Sequence, residues 1–144
     1  MGPAKPAPEE LPTNTYTLYV YVMTHARTVL GVTRACIGIG AWIAPDLTTR
    51  AFGMDPAQSN RFIGRLFGAR ELALALALLA APRSAVAPVA AIGAAIDSAD
   101  AVGGFDERRR GNLNTQATVL GPVGATLFAA LGVLVAREAA ATAE

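Results

Sequence analysis

The chain has 144 residues, of which 53% are hydrophobic and only 16% charged, against roughly 25% charged in an average soluble domain. That length suits one domain, and a net charge of +1 gives no electrostatic reason to expect a nucleic acid partner. A single cysteine, Cys36, and a single histidine, His25, exclude an intrachain disulfide and leave too few soft ligands for a zinc site, so no metal is expected.

Residues 1–13, rich in Pro and carrying Glu9 and Glu10, read as a disordered tail with no basic segment followed by an apolar one to mark a secretory signal. The Tyr- and Val-rich stretch 14–27 favours a strand locally. A lone strand has no pairing partner, so the stretch is read as a helical extension of the first span, with Tyr16, Tyr19 and Tyr21 near a membrane surface. The span itself covers 28–44, and Pro45 stops it. Residues 46–54 form a connector. Asp55 is expected to cap a second helix over 57–81, with Pro56 in its first turn and Gln58 reaching back.

Within that helix ELALALALLAA alternates with period two. Ala and Leu are nevertheless strong helix formers, and no β-branched residue interrupts them. Coiled as a helix, the leucines spread around the whole circumference, which requires burial on every side or lipid. Ser84 is expected to open a third helix over 84–105, followed by the polar connection DERRRGN at 106–112. The fourth helix, 115–136, contains ATVLGPVGATLFAALGVLVA, an uncharged run of the length that crosses a hydrocarbon core of about 30 Å. Asn112 or Asn114 caps its start and Pro122 bends it. Residues 138–144 read as a tail. The expected fold class is all-α: a four-transmembrane-helix antiparallel bundle with an N-terminal extension.

Three stretches, RTVLGVTRACIGIGAWIAPDLTTRAFGMDP, RFIGRLFGARELALALALLAAPR and AIGAAIDSADAVGGF, resemble a family of small four-helix integral membrane proteins common in actinobacteria, itself distantly similar to DoxX-like proteins. The matching residues are Arg65, Gly68, Arg70, Glu71 and Leu72 on the second helix, then Gly93, Asp97 and Asp100 on the third. The resemblance covers roughly residues 27–136. It implies the four-helix membrane fold and no particular activity.

Six charged residues are assigned to the interior of the spans: Arg34, Arg65, Arg70, Glu71, Asp97 and Asp100. An unpaired charge at mid-helix costs roughly 2.5–3.5 kcal/mol on insertion scales, so mutual pairing away from lipid is expected. Asp97 and Asp100 are three apart and share a helix face. Arg70 is the first choice of partner for one of them and Arg34 the second, because a guanidinium fork suits a desolvated carboxylate. Glu71 points about 100° from Arg70 on the helix and is expected to meet Arg34 or Arg65. Three positive and three negative groups balance, which favours an ion network that sets helix register over a proton relay or a polar substrate pocket.

Gly64 and Gly68 form a GxxxG, Gly121, Ala125 and Ala129 a second small-residue stripe, and Gly132 with Ala136 a third; all are expected to pack helices closely. Cys36 is read as a small packing residue, Trp42 as an interfacial one, and His25 as a surface residue. Arg50, Arg61, Arg108, Arg109 and Arg110 in the first and third connections outnumber Arg27, Arg83 and Arg137, with Lys5 far up the tail. This places those connections in the cytoplasm and both termini outside a plasma membrane. The RRR triplet serves as a topology anchor or meets anionic headgroups.

No P-loop, dinucleotide fingerprint, HExxH or nucleophile elbow is present, so no enzyme activity and no cofactor are expected. The function expected is that of a non-catalytic accessory or stabilising subunit, in contact with membrane lipid and other integral membrane proteins, of a larger complex such as an envelope lipid transporter. The alternatives are a small proton-coupled transporter or redox-linked DoxX-like protein working through Arg70, Asp97 and Asp100, and a soluble all-α domain.

Overall fold

The computed structural model describes residues 13–142, with side chains from residue 25 onward. Of the tail expected over 1–13, residues 1–12 lie outside that description, as do residues 143–144 and the placing of the Tyr16, Tyr19 and Tyr21 side chains, while Thr13 already belongs to the first helix. The described chain is all helix and turn: α1 (Thr13–Ile43), α2 (Pro45–Ala51), α3 (Arg61–Ala80), α4 (Arg83–Arg109) and α5 (Thr115–Ala141).

Several boundaries differ from the sequence expectation, each for a local reason. The connector at 46–54 contains a helix, α2, because Pro45 sits at its first turn with Asp46 beside it, where a missing N–H and a negative charge are both tolerated. Asp55 caps a turn rather than a long helix. Its carboxylate accepts from the Ala57 N–H at 2.9 Å and from Gln58 Nε2 at 3.2 Å, while Asn60 caps α3 by accepting from the Phe62 N–H at 2.9 Å. Ser84 lies inside α4, which begins at Arg83 and runs on through most of the expected DERRRGN connection. Gly111, at φ 83°, ends it: the Asn112 N–H bonds back to the Glu107 carbonyl at 3.0 Å, a closure that needs a left-handed residue. Residues 138–141 belong to α5 rather than to a tail.

Asn114 caps α5, accepting from the Ala117 N–H at 2.8 Å. Pro122 removes one backbone donor, and the helix widens there into a π-turn over Val119–Val123. Pro122 is buried against Gly104, where an added Cβ would meet its ring at 2.9 Å.

The long helices run antiparallel. Gly31 lies against Leu79, and Gly38 against Gly68 and Leu72, along the α1–α3 pair; Gly104 lies against Pro122, and Gly132 against Ala94, along α4–α5. Each of these two hairpins packs more extensively within itself than against the other. At one end Leu30, Leu78, Val86, Ala90 and Val135 form an apolar cluster. There Arg27 reaches across from α1 and donates to the last carbonyls of α3, Leu78 at 2.9 Å, Leu79 at 3.0 Å and Ala81 at 2.8 Å. These acceptors would otherwise lack an intrahelical partner.

The small-residue stripes are used selectively. A Cβ on Gly68 would meet the Gly38 carbonyl at 2.8 Å, whereas one on Gly64 would make only an ordinary contact with Pro45 at 3.8 Å, and one on Gly121 would meet nothing within 4 Å. Gly68 and Gly132 are therefore the close-packing positions, and Gly121 is not. Ala125 and Ala129 are half-buried. Gly121→Ala is expected to leave the bundle intact and to raise its melting temperature slightly, since Ala exceeds Gly by up to about 1 kcal/mol in a helix. A thermal melt in detergent checks this.

The outside of the bundle is strongly apolar. Val29, Ile43, Leu76, Ile92, Val102 and Leu127 are among the exposed large side chains, and Cys36 is exposed rather than packed. Two helices, Arg83–Arg109 and Thr115–Ala141, are long and apolar enough to cross a membrane, and only 33% and 17% of their apolar stretches are buried. A core helix of a soluble protein would be mostly buried.

Candidate functional site

Polarity is inverted toward the centre. Arg34, Glu71 and Asp97 are the buried charged residues among those described. On α3 the buried positions Gly68, Glu71, Ala75 and Leu78 follow the alternating three- and four-residue spacing of an inward seam. Asp97 lies on the corresponding seam of α4, between Ala94 and Ala101. Arg34 lies between Gly31 and Gly38 on α1. The small neighbours leave room for long charged side chains to meet at the axis.

Arg34 donates from one nitrogen to Glu71 Oε2 at 2.6 Å and from the other to Asp97 Oδ2. Arg70 forks onto Asp100, at 3.0 Å and 2.6 Å, and touches Glu71 Oε1 at 3.3 Å. Glu71 thus accepts from two guanidiniums, one on each oxygen, while Asp97 receives a single guanidinium nitrogen. The fourth long helix contributes Phe128, whose ring centre lies 5.0 Å from the Arg34 guanidinium carbon, and Phe67 sits at 5.2 Å from that of Arg70. Both distances suit cation–π attraction.

Five of the six expected charged residues come together here. Arg65 does not: it is exposed. On a 3.6-residue turn it lies about 100° from the seam of α3. The correction changes the electrostatics. Without Arg65 the network holds two guanidiniums against three carboxylates, so the even count expected from the sequence becomes an excess of one negative charge.

The three carboxylates present oxygens within 4.8 Å of one another, a spacing compatible with a cation. Arg34 and Arg70 already fill the positive role there, so a hard metal would have to displace a guanidinium. Chemically the arrangement can fix the register of three helices, and it can hold a proton on the uncompensated carboxyl.

Outside the interior, Arg61 forks onto Asp46, donating at 2.8 Å and 2.5 Å. The Arg61 guanidinium holds the Asp46 carboxyl below the ordinary aspartate range. A lowered value in the fold means that the contact stabilises at pH above the ordinary aspartate value of about 4 and that this stabilisation is lost as pH falls through the lowered one. Asp46→Asn is therefore expected to lower the melting temperature slightly at neutral pH and to leave it nearly unchanged well below about pH 4, so that the acid side of a plot of melting temperature against pH becomes flatter.

Arg27, buried Pro122 and α2 were not singled out for these roles from the sequence. The spacing of Arg27 two turns before Arg34, on the same helix face, is the available signal.

The structure thus defines an all-α helical protein with an apolar exterior and an ion network at its centre. Compared with known proteins, the chain matches no family model, and neither a curated protein nor a solved structure is similar to it.

Proposed function

We propose that all four long helices cross a lipid bilayer as a small multi-pass membrane protein of the actinobacterial four-helix, distantly DoxX-like kind, and that it acts without catalysis as a stabilising subunit of a larger membrane assembly. An envelope lipid transporter is the candidate assembly. One observation carries the membrane reading: Arg34 is 2% exposed at the centre while Ile43 is 74% and Val102 73% exposed on the outside. Water rewards the reverse arrangement; lipid rewards this one. Small-residue contacts hold the helices together, as expected where hydrophobicity gives no preference between helix and lipid. The excess of arginines in the α1–α3 and α4–α5 connections supports a topology with those connections in the cytoplasm and the termini outside.

Cys36 tests the membrane reading. It is exposed on α1, and as the lone cysteine it is a built-in label. In sealed vesicles it is expected to resist a charged, membrane-impermeant maleimide and to react after the bilayer is dissolved in SDS; rapid labelling in intact vesicles on both faces would defeat the reading. The subunit role is tested by mild-detergent purification of a tagged copy, which is expected to bring other membrane proteins in fixed ratio. Recovery as a free monomer, under conditions that keep other complexes whole, would count against it.

A second reading, proton-coupled transport or redox-linked chemistry through Arg70, Asp97 and Asp100, is supported by the uncompensated carboxylate. Asp97→Asn removes that excess charge. Normal folding of this variant with loss of pH-driven flux in proteoliposomes would favour transport; unchanged flux properties with unchanged folding would favour the subunit role.

A further inference from the structure

At the end of the bundle opposite the Arg27 contact, α2 turns back from the end of α1 toward the start of α3. A depression of about 410 Å³ opens there, lined by Ile43, Asp46, Leu47, Arg50, Arg61 and Arg65 among others. Its charges are unequal. Asp46 is taken by Arg61. Arg50 acts on Asp46 through charge alone. Neither the Arg50 nor the Arg65 guanidinium makes an ion pair or hydrogen bond among the described residues, and both residues are exposed. Two unpaired guanidiniums therefore flank a neutralised pair in one concavity. Ile43 and Leu47, 74% and 66% exposed, border it with apolar surface.

We infer that this depression binds the phosphate group of an anionic phospholipid, with Arg50 and Arg65 contacting the phosphate and Ile43 and Leu47 lying along the upper acyl chains. The guanidinium fork matches phosphate oxygens in geometry as well as charge. The joint presence of free cations and exposed apolar side chains selects a lipid over a soluble phosphate, which would gain nothing from Ile43 and Leu47. Asp46 has a positioning role: by holding Arg61 it keeps one wall of the depression in place and limits the net positive charge. The inference rests on the membrane reading above.

The chain has one tryptophan, Trp42, 49% exposed and adjacent to Ile43. The full-length protein is reconstituted in phosphatidylcholine vesicles, and Trp42 fluorescence is titrated with phosphatidylglycerol or phosphatidylcholine brominated on the acyl chains. The expected result is a clear preference for the brominated phosphatidylglycerol. Each of Arg50→Gln and Arg65→Gln should reduce it by about fivefold, the change expected for one basic group near an anionic surface. Arg109→Gln, exposed at the same end, should leave it unchanged. Helix content by circular dichroism establishes that each variant is folded.

Equal quenching by the two lipids overturns the inference, as does an equal loss in the Arg109 variant, which would mean diffuse attraction to the surface. Displacement of the preference by inorganic phosphate at constant ionic strength assigns the site to free phosphate and overturns the lipid assignment. Failure of the protein to float with vesicles overturns the membrane reading itself, whereas flotation without lipid preference overturns only this site.

Discussion

Arg34→Leu is expected to cost the bundle about 3–5 kcal/mol, the range seen when one partner of a buried ion pair is removed. The reason is what remains. Glu71 keeps only its 3.3 Å contact with Arg70, and Asp97, 3% exposed, keeps no cation at all. Two carboxylates would then share a desolvated interior with Asp100 close by. Arg34→Lys should recover only part of the loss, because a compact ammonium cannot reach two acids with two separate nitrogens. The double variant Arg34→Leu/Asp97→Leu is expected to be more stable than Arg34→Leu alone, since replacing both members of a buried pair by apolar groups is often neutral. Thermal unfolding in detergent, run as a double-mutant cycle, measures the coupling. A single variant that melts like the parent protein would mean the network carries no structural weight.

Gly68→Ala is expected to destabilise by about 1–3 kcal/mol, the usual cost of overpacking, although Ala is the better helix former by up to about 1 kcal/mol. The new methyl would stand 2.8 Å from the Gly38 carbonyl and 3.0 Å from Ala41 Cβ, so α1 and α3 must part. Glu71 lies one turn further along α3, and separating the helices also draws it away from Arg34. Gly64→Ala is the internal control: the same chemistry, one turn away, meets only Pro45 at 3.8 Å and should be neutral or mildly stabilising. Equal melting temperatures for the two variants would contradict the close approach of the helices.

Much of this architecture is legible in the residues themselves. Runs dominated by Ala and Leu, and uncharged stretches of the length a helix needs to span a bilayer, specify helices, and charges set among small residues point inward because neither lipid nor apolar packing accepts them alone. What sequence distance hides is rotation. Arg65 and Arg70 both lie about 100° or more from the seam of Gly68, Glu71, Ala75 and Leu78, but on opposite sides of it, and only the packing of α4 beside the second side lets Arg70 reach Asp100. The same ambiguity misplaces Gly121, whose stripe with Ala125 and Ala129 looks like a packing face until the π-turn at Pro122 reorients it. Capping is equally degenerate: Asp55 and Asn60 both suit a helix start, and the short helix α2 leaves only Asn60 in register with α3. Arg27 shows the reverse problem, since a side chain that caps another helix carries no local signature of doing so.

The division of the network between the two hairpins has a consequence for biogenesis. Arg34, Arg70 and Glu71 belong to the first hairpin, leaving it with one surplus positive charge, while Asp97 and Asp100 give the second two negative ones. The first half is synthesised earlier and can satisfy Glu71 by itself. On the membrane reading proposed above, the second would enter the bilayer with both aspartates unmatched, and docking would be completed when these aspartates reach the arginines already in place. On that reading the sign of the charges favours one order of assembly.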